Sequence, residues 1–381
     1  DADAHRLLGS CYNSKGNSLL ARCKWKEAVE ALQQARQIAD SSATEHLGIV
    51  TRCNIGLIDL LVGNWSSAEE GLNEAYQAAV ELGSSYCLTV ASRVLGMLRL
   101  RQGDLIEAGR LLVEARTRAQ QSGDSWGMAL ALSDLGELSA ERGDVQRALI
   151  EYGQSLALME QIGCNDDLPE LLRRRAVALI AAGRVPEGES CATRAKSLAD
   201  GMGNALEVAN AQWVLGLSAL TLDDAQEALR SAEDGTRALD ALGVPFEAAC
   251  ALLVKGRAER ELGHIDLALE TLGEAHGAFL RLGARGRARR THEMILETQG
   301  RLSPLTTGLP KETWQLRALY AAGRIVASGE CAQDMAQELA DLLATSVPAE
   351  QVVVAIEGQG EQLLMVHSHI CSGRDEETGR D

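Results

Sequence analysis

Aromatic residues are scarce in this sequence. Phe, Trp and Tyr make up 3% of its 381 residues, whereas hydrophobic residues make up 46%. A β-sandwich draws on Val, Ile, Thr and aromatic side chains, so this composition disfavours that class. A sequence rich in Ala and Leu, with 37 glycines, instead favours close packing of helix against helix. We therefore expect an all-helical fold.

The sequence also lacks the motifs of several functional classes. It has no G-x-x-x-x-G-K-[ST] phosphate loop, no H-E-x-x-H motif and no C-x-x-C pair. Its nine cysteines are dispersed, which is typical of small buried side chains in a reducing compartment. No apolar run approaches the ~20 residues of a membrane span, and no signal peptide is evident. We predict a cytoplasmic protein that is not an enzyme and needs no cofactor or metal.

One stretch could still place metal ligands together. His367, His369 and Cys371 alternate along a predicted strand, so their side chains would share a face. The alternative, which we favour, is the exposed end of an ordinary strand.

A repeat with a period of 40 organises most of the chain. One column of small residues consists of Gly16, Gly56, Gly96, Gly136, Ala176, Gly216 and Gly256. A second column, later in each repeat, consists of Ala28, Ala68, Ala108, Ala148, Gly188, Ala228 and Ala268. Because no insertion interrupts this register, the sequence predicts seven helix-turn-helix units.

The third unit shows how each unit is expected to fold. Apolar residues at helical spacing predict a first helix over Tyr86 to Gln102 and a second over Leu105 to Ser122. Glycine ends helices in a left-handed conformation, and glycine recurs at both turns of most units. A glycine inside a helix costs about 1 kcal/mol relative to alanine. Its recurrence at the Gly96 position therefore predicts that the two helices approach closely there.

This pattern resembles the tetratricopeptide repeat family. The matching residues are Leu95-Gly96, Leu135-Gly136 and Leu215-Gly216, followed by Ala108, Ala148 and Ala228. The resemblance covers about residues 5–285 and implies a right-handed superhelix with a concave face lined by first helices. The period is 40 and not 34, and the aromatic residue expected three positions after the glycine is absent. Units of this longer kind look like those of bacterial signalling regulators.

The resemblance also implies a partner-binding groove, at positions three before, one after and four after the small residue. The candidate groove residues are Asn13, Asn17, Arg93, Met97, Arg173, Val177, Trp213, Leu217, Arg257 and Arg260. Such a groove would bury apolar side chains of a peptide, and its arginines would pair with carboxylates. The alternative is packing between helices, which we favour for the last column (Leu20, Leu60, Leu100, Ala140, Ile180, Leu220 and Arg260). Such arrays contact only nearest neighbours, so we expect flexibility.

A basic run follows the last unit, at Arg281, Arg285, Arg287, Arg289 and Arg290. A nucleic-acid patch is one interpretation, but the net charge of −17 opposes it, because an acidic surface repels phosphate backbones. We favour a capping helix that is solvated or docked on an acidic neighbour.

The period fails near residue 300, so we divide the chain there. We predict a superhelix with a C-terminal capping helix over 1–299, a linker over 300–310, a second segment over 311–370 and a disordered tail over 371–381. The second segment is predicted to hold helices at 311–327 and 332–344 and a hairpin of strands at 351–356 and 362–367. This order resembles the opening of a GAF sensory domain, on Leu319–Ser328, Met335–Leu343 and Val352–Ile356.

These observations predict a non-catalytic protein-protein interaction scaffold. The resemblances imply that it forms the regulatory part of a cytoplasmic signal-transduction or transcription-regulatory protein. Its partner is expected to be a protein, a peptide or a flanking domain of the same polypeptide, and not nucleic acid or a membrane. The alternative is a small-ligand sensor of the GAF type, coupled to a kinase or ATPase effector. Because the chain opens on Asp1, we also expect a segment of a longer protein.

Overall fold

A computed structural model describes residues 2–300, 351–357 and 363–369. Within residues 2–300 it forms fifteen helices: α1 (Ala2–Ala21), α2 (Trp25–Ser41), α3 (Glu45–Leu61), α4 (Trp65–Leu82), α5 (Ser85–Gln102), α6 (Leu105–Ser122), α7 (Ser125–Glu141), α8 (Val145–Ile162), α9 (Leu168–Ala181), α10 (Val185–Met202), α11 (Ala205–Thr221), α12 (Ala225–Leu242), α13 (Pro245–Glu261), α14 (Ile265–Leu282) and α15 (Arg285–Thr298). None of these helices is long and apolar enough to cross a membrane.

The helices pair into seven units, from α1–α2 as unit 1 to α13–α14 as unit 7, and α15 follows as a further first helix. This confirms the all-helical solenoid. The boundaries predicted for the third unit agree with α5 and α6 to within one residue. Gly103 and Gly123 end these helices with φ of 90° and 69°. Where the turns lack glycine, Cys23 and Asp223 adopt the same left-handed conformation, with φ of 58° and 63°.

The column of small residues lets the two helices of each unit touch. A Cβ atom added at Gly96 would lie 2.8 Å from Leu112, and one at Gly136 would lie 2.6 Å from Tyr152. In five units the side chain that faces the glycine comes sixteen positions later, whereas Gly216 faces the Ala228 carbonyl at 3.0 Å and Ser231 Cβ at 3.2 Å. The residue sixteen positions later is buried in every unit: Leu32, Leu72, Leu112, Tyr152, Ala192, Ala232 and Leu272. Where unit 5 has Ala176 in place of glycine, the facing residue is the small Ala192. In unit 6, where Gly216 is paired with the small Ala232, the backbone of the second helix comes close instead.

A matched pair of glycines tests this packing. We expect Gly96→Ala to lower the free energy of unfolding by about 1–3 kcal/mol, because the new methyl overpacks the contact with Leu112. Gly153 lies inside α8 with nothing within 4 Å of an added Cβ. Gly153→Ala should instead raise the free energy of unfolding by about 0.5–1 kcal/mol. Urea unfolding measures both, and a change of the same sign in the two variants would contradict the assignment.

The two described strands form a hairpin. Strand β1 (Gln351–Glu357) pairs antiparallel with β2 (Leu363–His369), with Val354 opposite Val366. This confirms the predicted hairpin, and each strand ends one or two residues later than expected. The chain divides into two compact units, Asp1–Thr298 and Gln299–Asp381. The predicted linker, the two helices of the GAF-like segment and the charged tail lie outside the described residues, as does the Cys371 of the possible metal motif.

Candidate functional site

First helices of neighbouring units are joined by polar side chains. The Asn54 amide donates to Asn13 Oδ1 at 3.1 Å and to Asn17 Oδ1 at 2.9 Å. Between α5 and α7, Arg93 donates to Asp134 at 3.2 Å. Between α7 and α9, Arg174 donates to Ser133 at 3.2 Å. Three of these contacts join positions that are 41 apart, so one unit repeatedly meets the next at the same two positions. The predicted groove residues Asn13, Asn17 and Arg93 are therefore engaged within the array.

Arg174 is the centre of the polar network. Its guanidinium contacts Asp134 at 2.7 Å, Glu170 at 2.6 Å and Glu137 at 3.0 Å. Burial opposes the charge of Arg174, yet these three carboxylates raise its pKa well above the usual value. Burial likewise favours the neutral form of Glu170, but Arg174 and Arg173 outweigh it and hold the pKa of Glu170 below its ordinary range. Arg174 and Glu170 are therefore held in their charged forms. At Asp134, burial outweighs the charges of Arg93 and Arg174 and raises the pKa of that carboxyl.

A second polar chain runs along α9 and α11. Arg173 contacts Glu207 through Nε at 2.8 Å and through Nη2 at 3.5 Å. Asn210 donates to Glu207 at 3.1 Å, and Trp213 Nε1 donates to Asn210 Oδ1 at 3.1 Å. Arg173 and Trp213, both predicted to contact a partner, thus join one hydrogen-bonded chain. A partner that recruits either one has to compete with these internal bonds.

The apolar candidates are distributed between core and surface. Met97 is buried in the largest hydrophobic cluster. Val177, Trp213 and Leu217 are half-buried against the cluster around Ala176 and Val214. In the last column, the buried residues are Leu60, Leu100, Ile180 and Leu220. These four side chains pack between helices, whereas Leu20, Ala140 and Arg260 of the same column are half-buried.

Two arginines on α13 complete the predicted groove. Arg260 contacts Glu261 at 3.1 Å and Glu297 at 3.9 Å. Arg257 is half-buried and has no hydrogen bond or ion pair with any residue in the described part of the chain. Burial first, and then the charge of Arg260, lower the pKa of Arg257. Among the predicted arginines, Arg257 is therefore the one without an ion pair to another described residue.

The superhelix also closes on itself along a seam. We define the seam as the contact between two groups of segments: the turns between the two helices within units 1–4, with the helix ends beside them, and the starts of α11, α13 and α15. The Cys23 thiol lies against the Leu206 backbone. A Cβ at Gly63 would meet Pro245 at 2.8 Å, and one at Gly103 would meet Gly286 N at 3.1 Å.

Each of these contacts joins helices that are five units apart in the array, where α15 counts as the start of an eighth unit. The expectation that only nearest neighbours make contact is wrong, because the units complete one superhelical turn within that distance.

Apolar, aromatic and ionic contacts all contribute to the seam. The rings of Trp65 and Phe246 lie 5.8 Å apart within one hydrophobic cluster that spans α3–α6 and α13–α15. Arg101 lies over the Phe246 ring, with Cζ 4.7 Å from its centroid, and bonds Glu247 at 2.6 Å. Trp25 Nε1 donates to the Leu242 carbonyl at 2.7 Å. The seam therefore joins distant units as a tertiary core does.

The basic run of α15 docks across the same seam. Arg287 and Arg290 both bond Glu141 at the end of α7. Although burial favours the neutral acid, these two arginines hold the pKa of Glu141 below its usual value. This confirms the interpretation in which the run docks on an acidic neighbour.

Sequence reasoning missed several members of this site. Asp134 and Arg174 lie one period apart in a single column, and the groove rule skipped that column. Charged residues that recur one period apart inside apolar helices, with opposite sign, could have indicated the pair. Glu207 and Glu247 are likewise one period apart, and each holds an arginine. Within the described side chains, no group of three or more residues is placed to hold a metal ion.

The comparisons with known proteins agree with this geometry. A family model described as tetratricopeptide repeat matches residues 86–161, which lie in units 3 and 4. The structure is similar to a Rap protein complexed with Competence and Sporulation Factor, at 14% identity and a TM-score of 0.61, over 89% of this chain and 93% of that one. It is also similar to the apo form of RapI, at 12% identity and a TM-score of 0.53, over 72% of this chain and 98% of that one. No curated protein matches the sequence.

The family model identifies tetratricopeptide repeats over residues 86–161, and the solved structures share the fold of the helical array. At such identities the solved structures show the fold alone.

Proposed function

We propose that this array is the partner-binding, non-catalytic part of a cytoplasmic signalling or transcription-regulatory protein. Its partner is a protein segment that carries a carboxylate next to apolar side chains. The observation that carries the proposal is Arg257, an arginine that is half-buried on α13, the first helix of unit 7, and has no ion pair within the described residues.

The surface beside Arg257 suits such a segment. Val177 and Leu217 occupy the same column in units 5 and 6, and both are half-buried. A partner that lies along this column would meet two apolar side chains and then a cation. An arginine that is already partly desolvated loses less hydration when a carboxylate binds it, so the charge-assisted bond stabilises the complex more.

A protein of similar fold supports the proposal of partner binding, since the Rap protein was solved complexed with Competence and Sporulation Factor. The GAF-like segment stays a prediction, and with it the alternative of a small-ligand sensor.

A selection from a random peptide-display library tests the proposal with the full chain. We expect enriched peptides that pair an acidic residue with apolar residues. Arg257→Glu should weaken the binding of these peptides, measured by fluorescence anisotropy, by about tenfold or more, because it replaces attraction with repulsion. Arg237→Glu is the matched control, since Arg237 is exposed on α12 and pairs only with Asp234, at 3.1 Å, among the described residues. Equal binding by the two variants, or enrichment without acidic residues, would contradict the proposal.

A further inference from the structure

A small cavity lies in the seam, apart from the column around Arg257. It is enclosed by the end of α5 and its turn, the end of α7, and the first turn of α15, and its volume is about 90 Å³. A single water needs roughly 10–15 Å³ and a drug-sized ligand roughly 300–1,000 Å³. The cavity therefore has room for a small polyatomic ion and excludes a nucleotide or a peptide.

Arginines outnumber carboxylates in the lining of this cavity. Four arginines line it, Arg101, Arg287, Arg289 and Arg290, against two carboxylates, Glu137 and Glu141. Both carboxylates are already engaged, Glu137 by Arg174 and Glu141 by Arg287 and Arg290. Guanidinium groups are suited to oxyanions because their N–H donors match the spacing of paired oxygens.

Two donors at the cavity lack an acceptor. Arg101 Nη2 bonds Glu247, but Arg101 Nη1 is buried and has no hydrogen-bond partner among the described residues. The Gly286 N–H also has no acceptor among residues 2–300, and it lies in the first turn of α15, where a helix favours anions. A buried donor without a partner is destabilising. An anion in the cavity would supply acceptors for both donors once the Arg101 guanidinium turns toward it, because Arg101 Nη1 has almost no accessible surface in this arrangement.

We propose that the seam cavity is a binding site for a small free oxyanion of the inorganic phosphate class. The anion would bridge Arg101 on α5 and the start of α15. These two segments belong to successive turns of the superhelix. Binding would therefore stabilise the closed form of the superhelix, because opening the seam separates the donors that hold the anion. This proposal does not depend on the peptide-binding function.

Isothermal calorimetry of the full chain with inorganic phosphate tests this site, at constant ionic strength against sodium chloride. We expect saturable binding near one phosphate per chain and a rise in Tm that follows the same curve. Arg101→Gln alone leaves Glu247 buried without its cation, so the informative variant is the double substitution Arg101→Gln, Glu247→Gln. It should bind phosphate about tenfold more weakly or worse, because the unpaired charged donor is gone.

Arg237→Gln is the control, with unchanged phosphate affinity expected. Phosphate also stabilises proteins through exclusion from their surface, and that effect does not saturate. A Tm rise that is equal in the double variant and in wild type would overturn the proposal, as would calorimetry without saturable binding to wild type. If the double variant fails to fold, Arg101→Lys decides the matter: it keeps the charge but loses the paired donors, and unchanged affinity would refute the site.

Discussion

Replacement of Arg174 by methionine is expected to lower the free energy of unfolding by about 3–5 kcal/mol. The side chain of Arg174 is 6% exposed and that of Asp134 is 2% exposed. Methionine fills much of the same volume but supplies no charge, so Asp134, Glu137 and Glu170 lose their common cation. Asp134 cannot reach water, so it then has to stay ionised without that partner or take up a proton, and both outcomes destabilise the fold. Glu137 and Glu170 are 28% and 40% exposed, so water partly compensates their loss.

Urea unfolding measures this loss, and Arg237→Met is the matched control. The side chain of Arg237 is 76% exposed, so its loss should change the free energy of unfolding by less than about 0.5 kcal/mol. The m-value should be compared as well, because repeat arrays can depart from two-state unfolding. A loss below about 1 kcal/mol for Arg174→Met, far short of that for a broken buried pair, would mean that water reaches the network and screens it.

A double-mutant cycle separates the ion pair from general packing. Asp134→Asn retains an acceptor for Arg93 but removes one of the uncompensated charges. We therefore expect the double variant Arg174→Met, Asp134→Asn to be more stable than Arg174→Met alone, with a coupling energy of about 0.5–3 kcal/mol. Additive losses would show that the two side chains act independently.

Gly103→Ala is expected to open the seam. Gly103 has a φ of 90°, and an added Cβ would lie 3.1 Å from Gly286 N. The left-handed backbone alone costs about 1–2 kcal/mol for a residue with a Cβ. The contact with the backbone of α15 adds about 1–3 kcal/mol of overpacking, since backbone cannot rotate away as a side chain can. Opening the seam relieves the second cost.

Gly143→Ala separates these two costs. Gly143 has a φ of 82° at the same position of unit 4, but nothing lies within 4 Å of an added Cβ. This variant should lose only the backbone contribution and keep the radius of gyration of the wild type. Small-angle X-ray scattering should detect an increase for Gly103→Ala, and urea unfolding should show the larger loss. Identical behaviour of the two variants would mean that the seam does not hold the superhelix closed.

The helical units could be predicted from the amino-acid sequence alone. Helix ends depend on local backbone conformation, so glycine and its substitutes at Cys23 and Asp223 mark each turn without knowledge of the rest. The contact of Gly96 with Leu112 is also local, because a short turn joins the two helices. Repetition then strengthens the prediction, since the same steric requirement recurs at every unit.

The sequence did not reveal which of the predicted groove residues are accessible to a partner, because their accessibility depends on tertiary packing. The groove rule treats each first helix separately, whereas Arg93 and Arg173 find their carboxylates on neighbouring helices. A single sequence does not show whether an arginine meets an internal acid or solvent. For that reason Arg257, which lacks such a partner among the described residues, could not be distinguished from the paired arginines.

The seam likewise became visible only in the folded array. Each unit is rotated slightly relative to the one before it, and these rotations add up along the array. Whether unit 7 contacts unit 2 therefore depends on the packing angle at every interface between them. Nothing in the sequence around Gly63 or Pro245 predicts that these two residues will be in contact. The local sequence thus determined the helical units of this protein. The sum of the packing angles between units determined that distant units contact each other and enclose a cavity.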